Sequence, residues 1–181
     1  MPQLAVPHTG VHASFVAAMA EFRAEGRGGP DDDSTIGRDL RESSGRRQRP
    51  EGFADYVAAV VAESRPDVRL PEGRVRCTTL WWTDGETYLG RLAIRHTLND
   101  WLLQYGGHIG YDVRPTARRR GHATAMPRAA LPVARGLGVE RALITCDHDN
   151  AGSRKVIEAC GGVLEDRRGD KLRFRVATGT A

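Results

Sequence analysis

The sequence predicts an α/β sandwich in which helices pack around a mixed β-sheet. Two observations lead to this fold class. Apolar residues recur at helical spacing before Pro66 and in strand-like runs after it, and the later segments alternate strand with helix. A length of 181 residues suits one domain, so a single domain over residues 1–181 is expected. No apolar run approaches the roughly 20 residues of a membrane span.

The N-terminal part is predicted to hold two amphipathic helices, at residues 11–25 and 53–64, because apolar side chains recur there every three to four positions. Residues 26–50 between them are rich in Gly, Asp, Ser and Arg, which makes this stretch too polar to pack. We therefore expect a mobile loop there, with a short helical turn near Ile36 to Leu40.

The remainder is predicted to begin with a β-hairpin, since residues 75–83 and 88–95 are strand-like and an Asp-Gly pair lies between them. The elements that follow are a strand, a helix, a strand, a helix and a closing hairpin. Their predicted bounds are residues 107–113, 123–137, 141–146, 151–160, and 163–166 with 172–176.

Composition narrows the function classes. The three widely spaced cysteines argue against a disulfide framework and against a CxxC zinc site, so no metal is expected. The N-terminus has no basic and then apolar signal, which predicts a cytoplasmic protein. A net charge of +4 favours anionic partners, and nearly all of the positive charge is arginine, a bias that suggests a GC-rich bacterial genome.

The segment VRPTARRRGHAT, residues 113–124, lies where a strand gives way to a helix. The start of a helix has unpaired N–H groups and a partial positive charge, so it attracts anions. Gly121 lets the backbone approach an anion closely, and Ala123 keeps the far side of that approach clear. The segment lacks the GKS or GKT ending of a Walker loop. It therefore predicts a site for a pyrophosphate that undergoes no phosphoryl transfer; the alternative is a basic surface turn.

The spacing Arg118-x-x-Gly121-x-Ala123, preceded by a strand and Pro115, resembles the acyl-CoA pyrophosphate loop of the GNAT superfamily of N-acetyltransferases. A second block, residues 143–162, resembles the next strand and helix of that superfamily. The resemblance is strongest over residues 75–176, and its details are similar to a bacterial branch of largely unassigned substrate. It implies a mixed, mostly antiparallel central sheet with helices on both faces, and acetyl-CoA as co-substrate.

The resemblance also implies which residues contact acetyl-CoA. In the second block, Asn150 and Ser153 match positions that contact the pantetheine arm or the pyrophosphate. The implied cofactor-binding residues are Val113, Arg118, Arg119, Arg120, Gly121, His122, Ala123, Thr124, Asn150 and Ser153. Pro127 is expected to kink the cofactor helix without removing the amides of its first turn.

The mechanism that the resemblance implies is direct attack of an amine on the thioester, in a gap between the strand ending at Val113 and the strand ending at Cys146. The two strands are expected to diverge because the first carries a bulge. The candidate catalytic residues are His108, Asp112 and Tyr111. His108 is favoured as the base because it titrates near neutrality, and Asp112 requires burial to raise its pKa. The superfamily's usual tyrosine acid falls at Ile157, so the acid is Tyr111, a water, or unnecessary.

The leading function is therefore an N-acetyltransferase that acts on a primary amine of a small molecule, an amino acid or a peptide. The alternatives are acetylation of a protein N-terminus or lysine, and an acyl-CoA-binding sensor without turnover. Nucleic acid is not expected as a partner, since the basic residues are not interleaved with aromatic ones. A homodimer through the closing hairpin at residues 163–176 is a further expectation.

Overall fold

Five α-helices and seven β-strands make up the part of the chain that the computed structural model describes, residues 1–32, 34–42 and 45–179. The helices are α1 (His12–Ala24), α2 (Thr35–Glu42), α3 (Pro50–Ala62), α4 (His122–Gly136) and α5 (Ala151–Ala159). The strands are β1 (Gln3–Ala5), β2 (Cys77–Asp84), β3 (Thr87–Arg95), β4 (Ile109–Val113), β5 (Arg141–Asp147), β6 (Val163–Arg168) and β7 (Lys171–Ala177). None of these helices is long and apolar enough to cross a membrane.

The strands form two antiparallel sheets. The strand order is β1-β2-β3-β4 in the first sheet and β5-β7-β6 in the second. A tight turn with Gly85 at a φ of +57° joins β2 to β3, as the Asp-Gly pair predicts. The edges β4 and β5 lie next to each other, so the two sheets act as one layer that is split between these strands. The predicted α/β class is confirmed.

Apolar cores lie on both faces of this layer, which confirms helices on both faces of the sheet. On one face α4 and α5 cover a core that includes Met126, Ile157 and Phe174. On the other face α1, α2 and α3 cover an aromatic cluster centred on Trp81. The rings that contact it or one another there are Phe15, Phe53, Tyr56 and Tyr88. Burying one such side chain contributes roughly 1.5 to 3 kcal/mol, so these contacts hold α1 and α3 against the sheet.

Residues 26–50 contain more structure than their composition predicts. The helix α2 places Ile36 and Leu40, four positions apart, in the aromatic core, where they are 0% and 7% exposed. Arg27 forms an ion pair with Asp32 at 2.8 Å, which ties the connection after α1 to the segment before α2. The expectation that this stretch is too polar to pack is therefore wrong for α2. The mobility of the remaining connection stays a prediction.

Candidate active site

The edge strands β4 and β5 are joined at His108 and separate beyond it. His108 donates its backbone N–H to the carbonyl of Leu143 at 2.7 Å, and Leu143 donates its N–H to His108 Nδ1 at 2.9 Å. The imidazole thus accepts a backbone N–H of β5 that would bond to a carbonyl of the neighbouring strand in a continuous sheet. Gly107 makes the close approach feasible, because a Cβ at this position would lie 2.5 Å from the carbonyl oxygen of Leu143. These contacts set the end of the gap between the two strands.

The gap does not come from a bulge in β4. Strand β4 pairs with β3 in one unbroken register, from Gly90 opposite Val113 to Ile94 opposite Ile109. The predicted bulge is therefore wrong over these residues. The imidazole of His108 takes the place of a strand carbonyl at the point where β4 and β5 are joined.

The loop between β4 and α4 offers a run of unpaired backbone donors. Arg119 and Gly121 both adopt the left-handed conformation, with φ of +63° and +84°. The carbonyl of Gly121 accepts from the N–H groups of Thr124 and Ala125, which closes the first turn of α4. In contrast, the N–H groups of residues 119–123 have no acceptor within the described residues. Successive free amides at a helix start bind an anion, and nothing lies within 4 Å of an added Cβ at Gly121.

The three arginines of this loop differ in what their guanidinium groups contact. Arg118 forms two hydrogen bonds of 2.8 Å with the carboxylate of Glu25, and its Nε donates to the carbonyl of Val113. Its side chain therefore fixes the loop to α1 and β4. Arg119 and Arg120 are exposed and form no ion pair with any described residue. Among the three arginines of this loop, Arg119 and Arg120 therefore have the guanidinium groups that are available for a phosphate.

The first turn of α4 is anchored to the sheet. Trp82 donates its Nε1–H to His122 Nδ1 at 3.1 Å, so the His122 ring lies against the indole and its backbone N–H remains in the loop. Ala123 packs against the core, and α4 continues through Pro127 to Gly136. The amides of the first turn are therefore present despite the proline.

Helix α5 contacts a tyrosine hydroxyl that extends from β4. Asn150 caps the helix by accepting the N–H of Ser153 at 2.9 Å. The Ser153 hydroxyl lies 2.8 Å from the hydroxyl of Tyr111, which extends from β4. Ile157, one turn further along α5, is 1% exposed and belongs to the apolar core. The phenol of Tyr111 thus contacts the helix on which the family's tyrosine is expected, and burial raises its pKa to about 12.

His108 and Asp112 lie on the face of β4 opposite to its apolar core residues, as the alternation of a regular strand requires. Burial, with the nearby charges of Arg175 and Arg95, lowers the pKa of His108 to about 4. The neutral ring accepts at Nδ1, so its proton is on Nε2 and its lone pair is already used. His108, favoured as the base from sequence, thus has a structural hydrogen bond that protonation would break.

Asp112 keeps an oxygen free for chemistry. Its Oδ1 accepts from the guanidinium of Arg27 at 3.3 and 3.4 Å, and Oδ2 has no partner among the described residues. Burial raises the pKa of Asp112, although the charges of Arg27 and Arg91 oppose that shift. A buried carboxylate with a raised pKa is suited to accepting a proton.

A cavity of about 560 Å³ lies on the same side of the sheet, between α2, α3 and the β2–β3 hairpin. Arg91 and Arg95 from β3 line it, together with Arg38 from α2. Sequence reasoning missed these residues. The available signal was an arginine within the apolar run YLGRLAIR, where a buried charge requires a partner or a ligand.

Comparison with known proteins places this geometry in a family context. The Acetyltransferase (GNAT) domain family matches residues 37–163. No curated protein matches the chain. Among solved structures, the microcin C7 self immunity acetyltransferase MccE in complex with acetyl-CoA and AMP aligns over 97% of this chain and 92% of its own, with 12% identity and a TM-score of 0.64.

Two further solved structures are similar. RimJ of Mycobacterium smegmatis in complex with CoA-disulfide has 17% identity and a TM-score of 0.65, and the alignment covers 97% of this chain and 81% of that one. The ribosomal-protein-S5-alanine acetyltransferase of Vibrio fischeri has 14% identity and a TM-score of 0.65, over 98% and 93% of the two chains. At these identities the similarity concerns the fold.

Proposed function

The chain belongs to the GNAT acetyltransferases, and we propose that it transfers the acetyl group of acetyl-CoA to a primary amine of a small molecule, an amino acid or a peptide. Transfer occurs by direct attack within a ternary complex. The observation that carries the proposal is the run of unpaired amides at residues 119–123, at the start of α4 beside a split between two strands. A cytoplasmic location in a bacterium is part of the same proposal.

The residues of the loop fit the diphosphate of coenzyme A. The amides of residues 119–123 supply hydrogen bonds, while Arg119 and Arg120 supply positive charge at the surface. Arg118 holds the loop through Glu25 and does not itself bind a phosphate in this proposal. The pantetheine arm lies in the gap between β4 and β5, where the Ser153 hydroxyl and the backbone of β4 offer hydrogen bonds. Bound acetyl-CoA supplies the activated acyl group.

The amine requires a base, because an amine of pKa near 10 is almost entirely protonated at neutral pH. We assign this role to Asp112 in preference to His108. The assignment rests on the free Oδ2 of Asp112 and on the use of His108 Nδ1 by Leu143. Arg27 favours the ionised carboxylate and so opposes the effect of burial, which raises the pKa of Asp112 above that of an ordinary aspartate.

Tyr111 is assigned the role of hydrogen-bond donor to the thiolate that leaves. A thiol has a pKa near 8.5, whereas the pKa of Tyr111 is about 12. Complete proton transfer from the phenol to the thiolate is thus uphill by about 5 kcal/mol, at roughly 1.4 kcal/mol for each pKa unit. A hydrogen bond from the phenol to the thiolate stabilises the developing charge without that cost. The thiol then takes its final proton from solvent.

The acceptor is a small amine or the end of a peptide. A cavity of about 560 Å³ has the size of a small-molecule site, and it lies on the same side of the sheet as Asp112. Acetylation of a protein N-terminus is the second candidate. The observation in its favour is the exposed pair Trp101 and Tyr105 next to the cavity, whose rings lie 6.2 Å apart and offer a contact surface for a longer chain.

A homodimer through the closing hairpin is a further part of the proposal. Strand β6 is the outer strand of its sheet, and Val163 and Leu164 on it are 68% and 48% exposed. An exposed apolar edge strand favours pairing with a second copy of the chain.

The experiment that tests the function measures thiol release from acetyl-CoA with a panel of amines, amino acids and short peptides. Binding of acetyl-CoA is measured separately by calorimetry. Binding together with amine-dependent thiol release supports the enzyme. Binding without release from any amine supports the acyl-CoA sensor, and the absence of binding excludes both.

A further inference from the structure

The cavity between α2, α3 and the β2–β3 hairpin has an excess of positive charge. Its volume of about 560 Å³ lies within the usual range for sites that hold small ligands. The charged residues that line it are Arg38, Arg47, Arg69, Arg74, Arg91 and Arg95, with Asp39, Glu63 and Glu72. Arginines outnumber carboxylates two to one, so an anionic ligand suits the cavity better than a cationic one.

Arg91 is buried and incompletely paired. Its side chain is 5% exposed, its Nη1 pairs with Asp39, and its Nη2 donates to Thr79 Oγ1 at 3.3 Å. The Nε–H has no partner within the described residues. Asp39 is shared, since it also pairs with Arg47 at 3.9 Å and accepts the hydroxyl of Tyr56 at 2.9 Å. Asp39 is therefore shared between two guanidinium groups, and Asp112, opposite Arg91 in the β3–β4 pair, is a second carboxylate near Arg91.

Arg95 has only neutral partners. Its Nη1 donates to the carbonyls of Gly106 and Gly107 at 3.0 Å each, and its Nη2 lies 3.4 Å from Thr35 Oγ1. It forms no ion pair within the part of the chain that the structure describes. Burial and the charge of Arg38 lower its pKa. Asp112 is the carboxylate whose charge acts on Arg95, without a direct ion pair. A buried guanidinium that no carboxylate contacts directly is costly, and this favours an anionic ligand beside it.

The position of Arg95 connects the cavity to the gap between β4 and β5. A Cβ added to Gly110 would lie 3.6 Å from both terminal nitrogens of Arg95, so the guanidinium lies over the backbone of β4. Gly110 shares its face of the strand with Asp112, the assigned base. A ligand held by Arg95 is thus next to the strand against which the thioester is proposed to bind.

We propose that Arg91 and Arg95 bind an oxyanion of the acceptor, a carboxylate or a phosphate, so that the enzyme acetylates amines that carry such a group. This inference rests on the proposed function for the identity of the second substrate. The anion is held in the cavity, and the amine is directed toward β4. Bidentate pairing of a guanidinium with an oxyanion supplies both charge and orientation.

Binding is tested first on the unmodified protein. Inorganic phosphate and succinate are added in the presence of saturating acetyl-CoA, which fills the amide loop and prevents these anions from binding there. Sodium chloride at equal ionic strength is the control. The expected result is a melting temperature that rises with phosphate or succinate by a few degrees above the chloride control. No rise with either anion overturns the inference.

Variants then locate the site. Arg95→Gln should remove the anion-dependent rise, and Arg141→Gln, at an exposed position at the start of β5, should keep it. A rise that persists in a folded Arg95→Gln protein contradicts the assignment. Should Arg95→Gln fail to fold, Arg95→Lys replaces it, because lysine keeps the charge but lacks the planar pair of donors that a guanidinium offers to an oxyanion. A several-fold loss of anion affinity is expected there, and unchanged affinity contradicts the proposal.

Kinetics with matched amines give the substrate class. Phosphoethanolamine is compared with ethanolamine, and γ-aminobutyrate with butylamine, so that the two pairs separate phosphate from carboxylate. At least one charged member should have a kcat/KM about tenfold or more above its neutral partner. Equal turnover of charged and neutral amines contradicts this inference and leaves the proposed function intact. Anion binding without turnover of any amine contradicts the proposed function and leaves the anion site intact.

Discussion

Leu143 on β5 donates its backbone N–H to the Nδ1 atom of His108, just before β4, at 2.9 Å. A side chain therefore occupies a position that a strand carbonyl holds in a continuous sheet. This bond exists only while the imidazole is neutral, and the pKa of His108 is lowered from 6.5 to about 4. The contact between β4 and β5 at His108 is therefore expected to depend on pH.

Stability is expected to fall in acid because of His108. The unfolded chain binds a proton at this residue below pH 6.5, whereas the folded protein resists protonation until about pH 4. Stability is thus fully present above pH 6.5 and is lost between pH 6.5 and 4, by up to about 3 kcal/mol. Urea unfolding across this range measures it. His108→Gln should flatten the slope, and His148→Gln, at a half-exposed histidine, should not. An unchanged slope in His108→Gln contradicts the account.

Gly107→Ala should destabilise the protein more than Gly138→Ala. Both glycines have positive φ, so both substitutions strain the backbone. Gly107 combines φ of +65° with ψ of −175°, a region that only glycine adopts readily, and its added Cβ would meet the Leu143 carbonyl. Gly138 has open space around it. Thermal unfolding should show an additional loss of about 1 to 3 kcal/mol for Gly107→Ala. Equal losses would mean that β4 and β5 are not in such close contact.

Tyr111→Phe should lower kcat by about tenfold or more, because a hydrogen bond to a charged leaving group contributes about 1.5 to 3 kcal/mol. The KM for acetyl-CoA should change little, since the phenol is proposed to act on the thiolate. Steady-state assays of thiol release give both constants. Tyr88→Phe, at a buried tyrosine whose hydroxyl has no partner among the described residues, is the matched control. A wild-type kcat in Tyr111→Phe would mean that no donor from β4 assists departure of the thiolate.

Asp112→Asn should lower kcat/KM about a hundredfold by removing the assigned base. In the wild type the acidic limb of the pH–rate profile should lie above the pH expected for an ordinary aspartate, because burial raises the pKa of Asp112. The variant should lose that limb. Asp32→Asn removes the other carboxylate that pairs with Arg27 and controls for damage to the ion pair. An acidic limb that persists in Asp112→Asn would assign the base elsewhere.

Most elements could be predicted from the sequence because their patterns are local. The periodicity of apolar residues places α1, α3, α4 and α5, and the strand-like runs place β2 to β7, each within a few residues of its bounds. The phosphate loop was also readable, since a strand, a glycine and a helix start lie within a dozen positions. Its unpaired amides follow directly from helix geometry.

The missed features depend on residues far apart in the chain. Strand β1 has three residues and exists through its pairing with β2, about 80 positions later. A helical turn near Ile36 to Leu40 was predicted and lies within α2, but its packing was missed, because the burial of these two side chains depends on the aromatic core around them. The role of His108 is set by Leu143, and that of Arg95 by backbone carbonyls. Local periodicity carries no signal for such contacts.

The most direct test of the central claim is calorimetry with acetyl-CoA on two glycine variants, one just before α4 and one just after it. Gly121→Glu places a negative charge at the amide loop, and Gly138→Glu places the same residue at the other end of the helix. Both positions have a φ near +85° and open space, so the backbone strain is matched. We predict that wild type and Gly138→Glu bind acetyl-CoA with similar affinity and that Gly121→Glu binds at least tenfold more weakly. Equal affinity in all three proteins would contradict the assignment of the α4 amides to the diphosphate.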